Sequence, residues 1–372
     1  LQEVRRASLA RDQTLNPTEL AAATHPAREV TLLPSESGAA WRDSSGAASL
    51  PESSVTAPEP GLNQTIDGPQ LEYLGPRPAS QFPCENWARY EFLALLGQGG
   101  MGAVYKARDR QLGRIVALKF IRANDDQMTQ RFMQEARAQS KLEHEGICRV
   151  LEVGEHAGKA YIAMQFIDGQ SLDKAMSVLG LGEKVQILRD AALAMHYAHE
   201  KGVIHRDLKP ANILVDSGGR PRVLDFGLAR ITGDEVPSRD VTLAGQFVGS
   251  MPWASPEQTT GGTSAVDLRA DVYSLGVMLY QITTGTFPYS VDGPPREVLE
   301  RIQNAEPRRP RAINRQVPED VEAITLKCLR KRADERYAIA GEIAQDLRRF
   351  LDGRAVVAQP PDVGYQLRSF AR

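Results

Sequence analysis

The sequence has few of the features that would place it in several large protein classes. Its 372 residues include three cysteines, too far apart to form a C-x-x-C pair, so neither a disulfide scaffold nor a zinc or redox centre is expected. Aromatic residues make up 6% of the chain, charged residues make up 25%, and the formal net charge is −2. Without a basic excess, we expect no nucleic-acid binding, and any phosphate chemistry must come from local groups. The low cysteine content favours a reducing compartment.

The chain also lacks a long apolar segment free of helix breakers. Its longest uncharged stretch, residues 272–291, contains Gly276, Gly285 and Pro288, which suit a buried helix and a turn better than a membrane span. No signal peptide opens the chain, and its first residue is Leu1. We expect a fragment of a cytoplasmic protein with no membrane span in this part, and tethering through a region beyond its end stays open.

Residues 1–89 lack lysine and contain ten of the 23 prolines. Seven arginines against eleven acidic residues give this segment a charge of −4. Because it has few large aliphatic side chains, it cannot bury enough surface to offset its conformational entropy. The composition predicts a mostly disordered tail rich in Pro, Ser and Ala, with a weak helix near residues 17–23.

From Tyr90 onward the pattern is that of a folded domain. Short β-type runs separated by glycine predict strands at residues 92–96, 103–107, 115–121 and 160–166. Helical patterns cover residues 127–142, 183–201, 267–283, 298–304, 319–330 and 340–351. This order predicts an α+β protein with two lobes: an antiparallel sheet with one main helix, then a larger helical lobe, with a cleft between them.

A glycine-rich G-x-G-x-x-G segment lies between the first two predicted strands, at Gly97-Gln98-Gly99-Gly100-Met101-Gly102. Alone this motif is weak, because glycine clusters more often mark tight turns. A dinucleotide-binding turn would be followed by a helix, whereas a strand follows here. The order favours a hairpin whose bare backbone can approach phosphates closely.

A strand lysine and a helical acid follow the glycine segment. Lys119 ends the apolar run Val116-Ala117-Leu118, and Glu135 lies in the next helical stretch. Singly, each is more often a solvated surface residue. As a pair, they could place an ammonium on the α- and β-phosphates of a nucleotide, with the carboxylate orienting it.

The most specific segment is His205-Arg206-Asp207-Leu208-Lys209-Pro210-Ala211-Asn212, followed by Asp225-Phe226-Gly227. With the glycine segment, the lysine and the acid, the sequence resembles a eukaryotic-type (Hanks-type) Ser/Thr protein kinase of the bacterial branch. The resemblance implies the two-lobed kinase fold over residues 90–353, divided into an N-lobe (90–164), a hinge (165–169) and a C-lobe (170–353). Residues 354–372 would be a truncated C-terminal extension.

The resemblance implies ATP and Mg²⁺ as cofactors, with Mn²⁺ as an alternative metal. Asp207 would be the catalytic base and Lys209 would steady the γ-phosphate, while Asn212 and Asp225 would hold the metal. Besides Lys119, the residues expected to contact ATP are Gly97, Gln98, Gly99, Gly100, Met101, Gly102, Ala103, Val104, Ala117, Met164, Gln165, Ile167 and Leu214.

The implied activity is transfer of the ATP γ-phosphate to Ser or Thr of protein substrates, including autophosphorylation, which leaves a dimer open. Arg206 before the base implies control by phosphorylation of the activation segment, first at Thr242 and second at Ser238. Two alternatives stay open: a weakly active pseudokinase scaffold and a small-molecule phosphotransferase of similar fold. Glu257 is expected to pair with Arg336, and Asp271 to anchor the catalytic-loop backbone.

Overall fold

The computed structural model describes residues 82–84, 87–99, 102–121, 126–226, 250–260 and 266–359. Most of the predicted tail, including the helix near residues 17–23, lies outside the described residues. So do Gly100, Met101, Ser238 and Thr242.

In the described part of the chain, eight strands form two antiparallel sheets. The strands are β1 (Tyr90–Gly99), β2 (Gly102–Asp109), β3 (Arg114–Ile121), β4 (Val150–His156), β5 (Lys159–Gln165), β6 (Gly169–Ser171), β7 (Ile213–Asp216) and β8 (Pro221–Val223). The first sheet has the order β1-β2-β3-β5-β4, and the second has the order β6-β7-β8.

The helices are concentrated after β5. They are α1 (Asp126–Gln139), α2 (Leu172–Ala175), α3 (Leu181–Glu200), α4 (Pro256–Thr259), α5 (Arg269–Thr284), α6 (Pro295–Asn304), α7 (Pro310–Ile313), α8 (Glu319–Cys328) and α9 (Ala340–Leu351). Within the described residues, α1 is the single helix of the five-stranded part, so the predicted sheet lobe with one main helix and the larger helical lobe are both confirmed. Among the described residues, no helix is both long and apolar enough to cross a membrane.

The five-stranded sheet has two different faces because successive side chains of a strand alternate. Along β3, Val116, Leu118 and Phe120 pack in an aromatic-rich cluster on the outer face. Ala117 belongs to a second, mostly aliphatic cluster that also includes residues of α1. Lys119 follows Ala117 by two positions and therefore points to the same, cleft-facing side.

Ordered contacts begin before Tyr90. Phe82 stacks on Phe92 with ring centroids 5.2 Å apart, and Trp87 stacks on His156 at 4.2 Å. Arg89 pairs with Glu152 of β4. The end of the segment assigned to a disordered tail therefore covers the outer face of the sheet, because its aromatic side chains gain apolar contacts there.

Helix α5 forms the centre of the larger lobe. Thirteen of its side chains are buried, from Ala270 to Thr283, which accounts for the uncharged stretch without a membrane. Gly276 allows α8 to approach, since a Cβ there would overlap the side chain of Cys328. The helix ends at Gly285, whose φ of 76° is the left-handed conformation favoured at helix ends.

The described part of the C-terminal extension packs on the same lobe. The buried carboxylate of Asp346 accepts hydrogen bonds from the backbone N–H groups of Val357 (2.8 Å) and Ala358 (2.9 Å). It also accepts one from the hydroxyl of Tyr337 at 2.8 Å. Val356 is buried in the core of the lobe. Packing therefore continues past residue 353, the predicted end of the domain.

Candidate active site

The loop between α3 and β7 brings three of the predicted residues together: Asp207, Lys209 and Asn212. Lys209 Nζ lies 3.1 Å from Asp207 Oδ2 and donates to Ser250 Oγ at 2.6 Å. Asn212 Nδ2 donates to the carbonyl oxygen of Asp207 at 2.8 Å and to its Oδ2 at 3.2 Å. An acid, an ammonium and an amide thus share one small region.

Two residues of this region have unusual backbone conformations. Arg206 has a φ of 63° and Asp225 a φ of 54°, both in the left-handed region that side chains with a Cβ disfavour. Such conformations cost on the order of 1 kcal/mol or more and persist only where the surroundings impose them.

Asp271 of α5 imposes the left-handed conformation of Arg206 through hydrogen bonds to the loop backbone. Its carboxylate accepts the backbone N–H groups of His205 and Arg206, each at 2.9 Å, and lies 2.8 Å from His199 Nε2. Full burial alone would raise the pKa of Asp271, but the contact with His199 and the other donors lower it below its usual value. The carboxylate is therefore charged at neutral pH, and the predicted anchoring of the loop is confirmed.

The Asp225-Phe226 segment lies against the same loop. Phe226 is buried and packs on the ring of His205, with centroids 4.8 Å apart. His205 Nε2 lies 2.8 Å from the carbonyl oxygen of Leu224. These contacts fix Asp225 beside the loop, where its Oδ1 lies 2.7 Å from Lys119 Nζ. Glu135 lies on α1, but its side chain is outside the described residues.

The oxygen atoms of Asn212 and Asp225 suit a hard divalent cation. Both donors on Nδ2 of Asn212 are directed to Asp207, and the Oδ1 acceptor has no hydrogen-bond partner among the described residues. The N–H of Leu224 donates to the carbonyl of Asn212 at 2.8 Å, so Asp225 follows directly beside it. Among the described residues, no three His, Cys, Asp or Glu side chains form a metal site. A cation here would need further ligands from phosphate and water, as Mg²⁺ commonly does.

The apolar cluster on the cleft face contains several residues expected to contact the adenine. Ala117 and Met164 are buried in it, and Val104 and Ile167 pack against it. Two expected contacts lie elsewhere: the side chain of Ala103 belongs to the outer-face cluster, because it alternates with Val104, and Leu214 lies on β7 outside this cluster. The side chain of Gln165 is exposed.

The glycine segment forms the predicted hairpin of β1 and β2, with Gly97 paired to Val104 and Gly99 to Gly102. The glycines of this segment differ in how much space a side chain would have. A Cβ at Gly102 would overlap the carbonyl oxygen of Phe120, so this glycine allows two strands to approach. A Cβ at Gly99 would meet no described atom within 4 Å, and Gln98 beside it is exposed.

Glu257 and Arg336 form the predicted ion pair beneath the site. Arg336 Nη1 and Nη2 each donate to one carboxylate oxygen of Glu257 at 2.8 Å. Burial would raise the pKa of Glu257, but the guanidinium of Arg336 lowers it below its usual value. This bidentate pair fastens α4 to the helical lobe.

Sequence reasoning missed two residues that help to hold this loop: His199, which acts through Asp271, and Gln258, which contacts the loop directly. His199 bonds Asp271 from α3, and Gln258 of α4 donates to the carbonyl oxygen of Arg206 at 2.9 Å. A single His or Gln on a helix carries no motif, so only the fold shows that they converge on the loop.

Comparison with known proteins supports the resemblance. The family model for the protein kinase domain matches residues 90–347. The serine/threonine-protein kinase PknB of Mycolicibacterium smegmatis is 37% identical over 277 residues, which cover 72% of this chain and 44% of that protein. PknB of Mycobacterium tuberculosis is 36% identical, over 74% of this chain and 44% of its own length. The match thus spans less than half of the length of these relatives.

A solved structure gives the same result for the fold. The PknI kinase domain of Mycobacterium tuberculosis matches with a TM-score of 0.55 and 26% sequence identity. The match covers 71% of this chain and 96% of that domain.

Proposed function

Because the chain belongs to the protein kinase family, in its bacterial serine/threonine branch, we propose that it transfers the γ-phosphate of ATP to Ser and Thr hydroxyls of proteins. The observation that carries the proposal is the contact of Lys209 Nζ with both Asp207 (3.1 Å) and Ser250 (2.6 Å). Little covalent chemistry is required of the protein in such a reaction, so positioning and charge neutralisation supply the rate.

In the proposed step, Asp207 accepts the proton of the substrate hydroxyl. The hydroxyl oxygen forms a bond to the γ-phosphorus, the bond from that phosphorus to the bridging β,γ-oxygen breaks, and ADP leaves with its electron pair. Lys209 neutralises charge on the transferring group, and Asn212 keeps the Asp207 carboxylate oriented.

On the nucleotide side, Lys119 binds the α- and β-phosphates, oriented by Glu135, and the glycine hairpin lies over the phosphates. Ala117, Val104, Met164 and Ile167 provide the apolar surface for adenine, and the backbone at Gln165 binds its polar edge. Asn212 and Asp225 would hold Mg²⁺, or Mn²⁺ as a substitute, and the bound metal would supply positive charge next to the phosphate oxygens.

We extend the proposal to autophosphorylation of the activation segment, between two copies of the chain. Nε of Arg206 is buried with no hydrogen-bond partner among the described residues. A phosphate on Thr242, or secondly Ser238, would supply that partner and order the segment. Thr242→Ala should therefore lower the rate, and an unchanged rate beside a fully phosphorylated wild type would contradict this role.

The proposed cellular location of the chain is the cytoplasm.

The test is incubation with labelled ATP, Mg²⁺ and a generic basic protein, followed by phosphoamino-acid analysis, with Asp207→Asn as the control. We expect phosphoserine or phosphothreonine, and a loss of about 100-fold or more in the variant, the usual contribution of a general base. Equal incorporation by both proteins would contradict the role of Asp207. Phosphotyrosine alone would contradict the substrate class. Transfer only to small alcohols would favour a small-molecule phosphotransferase, and nucleotide binding without transfer would favour a scaffold.

A further inference from the structure

The peptide unit that joins Arg206 to Asp207 is bound at both of its polar groups. Its N–H, which belongs to Asp207, donates to the carbonyl oxygen of His205 at 2.8 Å and lies 3.3 Å from His205 Nδ1. Its carbonyl oxygen, which belongs to Arg206, accepts a hydrogen bond from Nε2 of Gln258 at 2.9 Å. Gln258 belongs to α4 and directly follows Glu257.

The orientation of the Gln258 amide follows from its other contacts. Oε1 accepts the backbone N–H of Ser255 at 3.0 Å and lies 3.3 Å from the Ser255 hydroxyl. Since the oxygen is used to cap α4, the nitrogen must face Arg206. One side chain therefore caps its own helix and holds the catalytic loop.

We propose that Gln258 is a positioning residue for Asp207, an inference that rests on the function proposed above. Arg206 has a φ of 63°, so the backbone before Asp207 would relax if it were released. Asp271 fixes the N–H of Arg206, and Gln258 fixes its carbonyl oxygen. Rotation about ψ of Arg206 would displace the Cα of Asp207 and with it the carboxylate.

The same contact links the catalytic loop to α4. Glu257, the neighbour of Gln258, is fastened to Arg336, so α4 has a fixed place in the helical lobe. The carbonyl oxygen of Arg206 is thus hydrogen-bonded to a helix whose position is fixed. The position of the Asp207 carboxylate therefore depends on α4 keeping its place in the helical lobe.

The decisive variant is Gln258→Glu. Glutamate has nearly the same size and still accepts the Ser255 N–H, so the cap is retained. It places an oxygen atom instead of an N–H group opposite the carbonyl oxygen of Arg206, which removes the hydrogen bond between residue 258 and the loop. A matched control is Gln303→Glu: Gln303 Nε2 donates to the carbonyl oxygen and to Oγ1 of Thr259, each at 3.1 Å, at the other end of α4.

The experiment measures kcat, KM for ATP and for a peptide, the melting temperature, and amide hydrogen exchange over residues 203–209. We expect Gln258→Glu to lower kcat about tenfold, because small misplacements of a reacting group have effects of this order. KM should stay within about twofold, and exchange over residues 203–209 should be faster than in the wild type. Gln303→Glu should retain the wild-type kcat and exchange.

A role confined to capping α4 predicts that Gln258→Glu keeps the wild-type kcat, and that result would overturn the inference. An equal loss in Gln303→Glu would overturn it too. If Gln258→Glu does not fold, Gln258→Met applies the same criteria, since methionine fills the space without donating. A wild type without kinase activity would contradict the proposed function alone; exchange would still decide the positioning role, with unchanged exchange over residues 203–209 overturning it.

Discussion

The two sides of the cleft are built by different interactions. On the side of the helical lobe, the backbone around Asp207 is bound by buried polar groups, chiefly Asp271 and Gln258. On the side of the sheet, Lys119 forms an ion pair with Asp225 among the described residues, and the strands are stabilised by aromatic packing on the opposite face. From this difference we infer that the groups around Asp207 are pre-positioned, whereas those of the proposed nucleotide site depend on the ligand for their final contacts.

Asp271→Asn should have the largest effect, because it disrupts the base side directly. An amide can accept only part of the hydrogen bonds that the carboxylate receives, so buried donors lose their acceptor. We expect a loss of about 3 kcal/mol in the free energy of unfolding. A fall of about 100-fold in kcat should accompany it. Urea unfolding and steady-state kinetics measure the two effects.

The pH dependence of stability provides the control for this variant. The pKa of Asp271 is lowered in the folded state, as is that of Glu257. Their contributions are therefore complete above the usual carboxyl pKa values, about 4, and are lost as the pH falls through the lowered values. Stability of Asp271→Asn should fall less steeply below about pH 4 than that of the wild type. Equal slopes would show that Asp271 is not the charged anchor described.

Trp87→Ala should have a smaller and different effect, on the sheet side. Trp87 contacts the rings of Tyr90, His156 and Tyr161, with centroids 4.2–4.8 Å apart. Its removal should lower the free energy of unfolding by about 2 kcal/mol, since the side chain is partly buried. With the protein still folded, kcat should change less than about twofold.

Val178→Ala is the matched control for that prediction, because Val178 is 78% exposed and should change stability by less than about 0.5 kcal/mol. A loss of kcat in Trp87→Ala comparable to that in Asp271→Asn would break the distinction between the two sides.

Much of the fold could be predicted from the sequence, because the longer elements carry their own periodicity. The strands containing Phe92, Val104 and Lys119 and the helix containing Asp271 were all found. Strand β4 was missed because Glu152 and Gly154 interrupt its apolar pattern; Glu152 is explained by its contacts with Arg89 and Tyr161. Strands β6 to β8 have only three or four residues, too few for a pattern to be visible.

In the candidate site, too, the residues that could be predicted are those within recognisable motifs. Asp207, Lys209, Asn212 and Asp225 belong to segments whose order and spacing are recognisable. Gln258 was missed because its role arises from the place of α4 against the loop. The side of the sheet on which Ala103 lies follows from strand alternation, which the motif alone does not record.

The most direct test of the comparison is amide hydrogen exchange with and without ATP and Mg²⁺. The N–H groups of His205, Arg206 and Asp207 already have protein acceptors. We predict that nucleotide slows exchange over residues 96–106 by about tenfold or more, and changes exchange over residues 203–213 by less than about twofold. An increase in protection of the catalytic loop as large as that of the glycine hairpin, or no change in the hairpin, would contradict the account.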